Sequence, residues 1–387
     1  MTMKRLLGAG LGLVALLTAG CAAQKPVHTR LIHPKFFPPE VSSVEGEKMS
    51  EIDSFNFYEI VVYDVSSKTE KRITNNQFVE GMPIFSQDGK SAILLRFDKW
   101  FGNNTKLMRI NLETLTEEEL VGEESVKDFR YNEKDFPKSF LPPAFSNWLS
   151  EDEALCFDWL GGLFMCMEEE PQNSFLSKLD FKEKKLEKLF DVPEFYVCAS
   201  LSPDKKRVAF SMVDSDKKAI NLYISNIDGT RRERLTSYWD VGTFQGKAKE
   251  KNGGSNREWL RGMAIFPTWS PDGTEIAYVS GVTGNFEIHK VNLKTKKITQ
   301  LTKGEEENWL PLWAGDGIYF IRKQNQGELK EVEFLERAMS PKEHRDFSSK
   351  DFYGKREIWR IRGNGSHPEK ITDTTDFYYG TFDVYSE

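Results

Sequence analysis

Histidine and cysteine are scarce, at five and four in 387 residues. The histidines are His28, His33, His289, His344 and His367, spread over the whole chain with no ligand-like spacing. A histidine-rich metal centre is therefore not expected. Beyond Cys21 the cysteines are Cys156, Cys166 and Cys198, an odd number without metal-site intervals, so neither a disulfide framework nor a zinc site is expected. In "CFDWLGGLFMC" a two-residue turn at Gly161-Gly162 would oppose Phe157 to Cys166 and put Cys156 and Cys166 on opposite faces, leaving free buried thiols. No G-x-S-x-G elbow occurs. Positive charge is not in excess: 53 Lys and Arg stand against 60 Asp and Glu, a formal charge of −7. Such a balance argues against nucleic acid, where neutralising phosphate dominates affinity. After Leu17 no apolar run is long enough to cross a bilayer as a helix.

What is present begins with "MTMKRLLGAGLGLVALLTAGCAAQKP". Lys4 and Arg5 precede the apolar run Leu6 to Leu17, then Thr18-Ala19-Gly20 precede Cys21, the order of a secretory signal. Small residues ending at a cysteine resemble a bacterial lipobox, with Thr18 where that motif usually has Leu. The resemblance implies cleavage before Cys21 and lipid on that residue. Residues 1–20 are then a signal peptide, and their loss moves the formal charge from −7 to −9. Ala22 after the cysteine favours the outer membrane, facing the periplasm. Residues 21–50, rich in Pro and charge without clear period, read as a lipid-anchored tether in which His28 and His33 are solvated. A propeller domain is expected over 51–387.

The stretch "FPTWSPDGTEIAYVSGVTGNFEIHKVNLKTKKITQLT", Phe266 to Thr302, contains a four-stranded meander. In "SPDG", Pro271 presets φ, Asp272 caps local backbone and Gly273 tolerates positive φ. Weaker copies begin at Phe85 ("FSQDG"), Leu149 ("LSEDE"), Leu201 ("LSPDK") and Trp313 ("WAGDG"). Segments of strand, polar turn and strand end at Thr74, Thr236 and Thr372 as well as at Thr302. Repeats of one small antiparallel sheet make propeller blades, because a lone blade leaves apolar area on both faces. Five turns mark five blades. The sixth is assembled from both ends, with "FYYGTFDVYSE" as innermost strand and "FYEIVVYDVSSKTEKRIT" as outer ones. An all-β six-bladed propeller is expected, with seven blades as the alternative because of the extra hairpin around Gly161.

The pattern P-x-W-S-P-D-G-x-x-I-A-Y-x-S with a downstream L-T resembles the WD-like repeat of the TolB propeller, found also in prolyl oligopeptidase relatives. It covers about residues 55 to 387, without the α/β domain that TolB carries before its propeller. The peptidase relatives keep their triad in a hydrolase domain for which no residues remain here. Oligogalacturonate lyases, which share the fold, need clustered His ligands, and this sequence does not cluster them.

In a meander A-B-C-D the A–B and C–D turns share one end and the B–C and D–A connections the other. The first set stays short here. The insertions 98–104, 122–142, 160–173, 237–266 and 323–355 all belong to the second set, so the long loops gather on one face. That face carries Trp100, Phe101, Trp239, Arg257, Trp259, Trp309, Phe352 and Tyr353, the candidate binding residues, since Trp, Tyr and Arg anchor interfaces well. The expected function is a lipid-anchored envelope scaffold that binds a protein or peptide and works as a monomer, attached to the membrane through its N-terminal lipid only. Alternatives are a glycan- or peptidoglycan-binding propeller and an envelope hydrolase or lyase. No catalytic residue, metal site or cofactor is assigned; acidic loops such as Glu305 to Glu307 offer at most a weak Ca²⁺ option.

Overall fold

The computed structural model describes residues 28–37, 58–76, 78–97, 105–121, 144–157, 174–192, 196–214, 219–238, 262–283, 285–323, 356–374 and 382–386. These form six antiparallel sheets of four strands. Blade 1 is β24 (Asp383–Ser386), β1 (Thr29–Phe36), β2 (Tyr58–Asp64) and β3 (Thr69–Arg72), from the innermost strand outward. Blade 2 is β4 (Val79–Phe85) to β7 (Glu117–Val121), with β5 (Ser91–Phe97) and β6 (Thr105–Asn111) between. Blade 3 is β8 (Ala144–Trp148), β9 (Glu153–Phe157), β10 (Ser174–Asp180) and β11 (Lys185–Val192). Blade 4 is β12 (Tyr196–Leu201), β13 (Arg207–Asp214), β14 (Ala219–Asn226) and β15 (Glu233–Arg234). Blade 5 is β16 (Ala264–Trp269), β17 (Glu275–Ser280), β18 (Glu287–Asn292) and β19 (Ile298–Gln300). Blade 6 is β20 (Glu307–Ala314), β21 (Gly317–Lys323), β22 (Arg356–Ile361) and β23 (Glu369–Thr374).

The blades stack through apolar side chains on both faces of each sheet. In β1 the neighbours Leu31 and Ile32, both fully buried, point opposite ways: Leu31 joins the cluster of blades 5 and 6, Ile32 that of blade 2. Strands covered on both sides read as continuous apolar runs, such as "AILL" in β5 and "IAYV" in β17. The remaining clusters lie between blades 2 and 3, 3 and 4, and 4 and 5, so the ring is apolar at every junction. Six blades, rather than seven, complete it.

The ring closes where both chain ends meet. β24 pairs with β1, Thr29 opposite Ser386 and Ile32 opposite Asp383. The tail supplies the innermost strand, as expected, but the other end supplies three strands rather than two. Residues 29–36, read as tether, are β1; His33 there is 1% exposed, not solvated, and its Nδ1 meets the Pro34 carbonyl at 2.9 Å. Burial holds its imidazole down to about 4, so it stays neutral. The His28 side chain is partly exposed and contacts the Asp64 carboxylate. The expected hairpin of Phe157 with Cys166 is replaced: Phe157 pairs with Ala144 on one side and Leu176 on the other, so both edges of β9 are occupied. Cys166 and the Gly161 turn lie outside the described residues. Cys198 is a buried free thiol, raised to about 11 by desolvation, and its sulfur accepts the Phe266 amide.

The A–B turns follow the expected chemistry. Ser86, Ser202 and Ser270 each donate to the Asp two residues on, at 2.7, 2.6 and 2.6 Å. Gly89 and Gly273 have φ of 66° and 67°, and Lys205 takes that conformation in blade 4 at 58°. Two junctions are latched at these turns by an arginine. Arg30 at the start of β1 donates to the Gly89 carbonyl (2.8 Å) and lies over Phe85 and Tyr385. Arg207 at the start of β13 repeats this on Gly273 (3.2 Å) and Trp269.

Candidate functional site

The strand order places every B–C and D–A connection at one end of the ring, here called the loop face. The A–B and C–D turns occupy the other end, the short-turn face. The 37–57 connection, between β1 and β2, joins the loop face too. Trp100, Phe101, Trp239, Arg257, Trp259, Phe352 and Tyr353 lie outside the described residues, as does Cys21. Trp309 is described, and it is a core residue rather than a contact. It lies in β20, is 8% exposed, and packs on Phe286 with ring centroids 4.0 Å apart.

Beneath the loop face the strand ends are built from a buried polar device that occurs at three junctions. Thr74, Thr236 and Thr302, the residues that close the D strands, are 1–4% exposed. Each hydroxyl accepts a C-strand amide: Ile60 (2.9 Å), Leu222 (2.9 Å) and Ile288 (2.8 Å). Each also donates to a side chain fifteen residues upstream: Glu59 (2.6 Å), Asn221 (3.0 Å) and Glu287 (2.5 Å). That upstream side chain then receives the chain leading to the next blade, through the amides of Asn76 and Tyr238 and the Asn308 side chain. Buried polar groups are rarely left unsatisfied, and the device satisfies each threonine hydroxyl as both donor and acceptor. Glu357 and Thr372 keep the same spacing in blade 6, where Glu357 accepts Lys370 and Trp359.

At two innermost strands the device extends to a cross-strand pair in register. Glu80 faces Arg96 and Asn308 faces Arg322. Arg96 donates to Glu80 (Nε, 2.7 Å) and makes a two-pronged pair with Glu117 (2.6 and 2.9 Å). Asn76 links Glu59 to Glu80, so Arg72, Glu59, Thr74, Asn76, Glu80, Arg96 and Glu117 form one network across blades 1 and 2. Burial raises the Glu80 carboxyl against the pull of Arg96, whereas the Arg96 hydrogen bond lowers that of Glu117. Desolvation also raises Glu287. Glu80 and Glu287 are buried and committed to neighbours in the fold. The sequence singled out the threonines; their partners were missed, although the fifteen-residue interval was there to read.

The innermost strands share a second feature. β4, β8, β12, β16 and β20 each break register once near the loop face. In three of them a bulky residue before proline takes positive φ: Met82 (54°), Phe266 (54°) and Leu310 (49°). Such conformations cost free energy for branched and aromatic residues and persist only when the surroundings impose them. They re-aim the strand ends around the axis, which is what a bulge does at a rim.

Asp383, at the start of β24, belongs to the closure. Its carboxylate accepts the Phe85 amide at 2.7 Å, bridging blades 1 and 2, and burial raises it to about 6. A folded value above the unfolded one, near 4, means that the native state holds the extra proton between them. Stability from this group is therefore greatest below about pH 4 and is lost as pH rises to about 6. Asp383→Asn keeps the acceptor and removes the charge. It should stabilise the protein at pH 7 by about 2 kcal/mol and leave it little changed at pH 4, read by urea unfolding at both pH values.

Among the described residues no three His, Cys, Asp or Glu side chains converge as metal ligands. Also among them, no helix is long and apolar enough to cross a membrane.

No protein-family model matches the chain. An uncharacterised protein of Agrobacterium fabrum is 27% identical over 180 residues, 45% of this chain and 42% of that protein. The chain thus spans less than half the length of the curated relative it matches. Among solved structures, TolB from Acinetobacter baumannii superposes with a TM-score of 0.54 at 13% identity, covering 92% of this chain and 66% of that one. A putative TolB from Agrobacterium tumefaciens gives 0.51 at 14%, covering 90% and 89%. A chain of a nidogen/laminin complex gives 0.53 at 10%, covering 92% and 98%. At these identities the likeness is one of fold, and the fold of this chain is a six-bladed propeller of the TolB type.

Proposed function

We propose that this chain is a binding propeller of the bacterial cell envelope, held by lipid on Cys21, whose loop face docks a protein or peptide. One observation carries the reading: every long connection emerges at one end of the ring, while the N-terminal segment leaves from the other. Loops contribute little core and cost closure entropy, so their gathering on one face marks a surface used for recognition. The aromatic residues in these connections, Trp100, Trp239 and Trp259 among them, supply large contact area at low entropic cost. Beneath them, the threonine-centred networks and inner-strand bulges give the loops a rigid base. The lipobox-like run before Cys21 supports envelope placement, with the outer membrane and the periplasm as the compartment.

The test is crosslinking of the protein in intact envelopes, followed by mass spectrometry, for the wild type and for the triple variant Trp100→Ala, Trp239→Ala, Trp259→Ala. The expected outcome is loss of specific protein crosslinks at an unchanged melting temperature. Retention of the same crosslinks by the triple variant rejects the docking face. Tight calorimetric binding of soluble peptidoglycan fragments, with no protein crosslinks, replaces the protein partner by a glycan.

A further inference from the structure

Each of the six C–D turns places one non-glycine residue in the left-handed conformation; in blades 4 and 6 it stands two places after a left-handed glycine, Gly229 or Gly365. The six are Lys68, Leu115, Lys184, Arg231, Lys296 and His367, with φ between 48° and 58°. All six are exposed. This conformation favours glycine or asparagine, and local turn energetics do not select a long cationic side chain there. Four of the six are Lys or Arg nonetheless, and Leu115, at 41% exposure, is one of few large apolar side chains in the open. Lys294 and Lys297 flank Lys296, and Lys182 and Arg232 extend the same rim. The outer rim of the short-turn face is thus basic in a chain whose formal charge is −7.

The N-terminal segment emerges at this same face. Thr29 lies opposite Ser386, and its carbonyl accepts the amide of Val65, the first residue of the β2–β3 turn. His28 contacts the Asp64 carboxylate beside that turn. Only residues 22–27 separate Cys21 from His28. At ~3.5 Å per residue, that link and its flanking bonds reach roughly 25 Å when fully extended. A seven-residue strand spans about as much, so only a fully taut link would bring Cys21 level with the loop rim, and any slack leaves the short-turn face nearer the membrane.

We propose that the short-turn face is a membrane-docking surface: its rim of cations, with Leu115 among them, seats on an anionic phospholipid bilayer and holds the loop face away from it. This rests on the reading of Cys21 as the lipid-bearing residue. Basic side chains near anionic headgroups are drawn to the surface within a Debye length, and a lipid chain keeps them there. The partner of the rim is the bilayer itself; the partner of the loop face then meets it from the aqueous side.

The test uses the full-length mature protein, extracted in detergent and reconstituted into vesicles of phosphatidylethanolamine and phosphatidylglycerol. Lysine acetylation, quantified by mass spectrometry, compares Lys68, Lys184 and Lys296 with Lys303, an exposed lysine of the loop face. The rim lysines are expected to label about fivefold more slowly on vesicles than in detergent, with Lys303 unchanged. Substituting Lys184→Glu and Arg231→Glu should remove most of the protection at Lys68 and Lys296. Equal protection of Lys303 and Lys68, or none at either, in a chain whose mass shows acylated Cys21 overturns the orientation alone. A mature chain whose mass shows no acyl group overturns the anchor and the docking surface together.

Discussion

Replacing Arg96 by Ala should lower the unfolding free energy by about 3–5 kcal/mol, the cost typical of breaking a buried ion pair on one side only. Glu80, 2% exposed, loses its in-register partner and keeps Asn76 as a single donor. Glu117 loses both prongs of its pair. The Glu80 carboxyl is already raised by burial with Arg96 opposing, so without Arg96 it rises further. A folded-state value above the unfolded one makes stability fall as pH rises through the interval between them. The deficit of Arg96→Ala should accordingly be small near pH 4 and largest at pH 7. The double variant Glu80→Gln, Arg96→Ala should recover part of the loss at pH 7, because no buried charge is left behind. Urea unfolding at the two pH values measures all three quantities. A pH-independent deficit would show that Arg96 acts through packing alone.

Much of this architecture is legible in the sequence because it is local. The serine–aspartate turns bond within themselves, so "SPDG" announces its own geometry wherever it stands. The closing threonines mark strand ends for the same reason. β1 was hidden by its position in the ring. A strand buried on both faces does not alternate, so Leu31-Ile32, whose side chains go to different blade junctions, shows no period within a segment rich in Pro and charge. Pro34 added to the disguise. Among the described residues β24 covers β1 only as far as Ile32, so from His33 onward that edge has no described strand partner, and a missing amide is tolerated at such an edge. Trp309 misled in the opposite sense. Its neighbours Glu307 and Asn308, in an acidic run, suggest a solvated loop, yet Asn308 is 1% exposed and held by Glu287 and Arg322. Its burial depends on residues far away in sequence, which pattern alone does not bring together. The basic rim was equally invisible: its members are scattered single cations until six turns fall on one circle.

That circle is closed by a latch whose strength can be read from a pair of glycines. Gly89→Ala should destabilise the protein by about 3 kcal/mol, and Gly273→Ala by about 1 kcal/mol. Both residues have the same positive φ, so the conformational cost of a Cβ is the same in each, and Lys205 in blade 4 demonstrates that it is bearable. The difference lies in what the new Cβ meets. At Gly273 the nearest atom is the Arg207 guanidinium at 3.7 Å, ordinary contact. At Gly89 it runs into the Arg30 guanidinium and the Tyr385 ring, whose Cε1 lies 2.5 Å away. Arg30 has room to swing out only by giving up the Gly89 carbonyl and its place over Phe85 and Tyr385. Tyr385 is in β24, one of the four tail residues that seal the ring against β1. The clash therefore falls on the one blade built from both ends of the chain, where loosening is free to propagate into loss of β24. Thermal unfolding ranks the two variants, and proteolysis of the C-terminal strand in Gly89→Ala, absent from Gly273→Ala, locates the damage. Equal melting temperatures for the two would show that the tail strand yields at no cost and that the apolar junctions alone keep the ring shut.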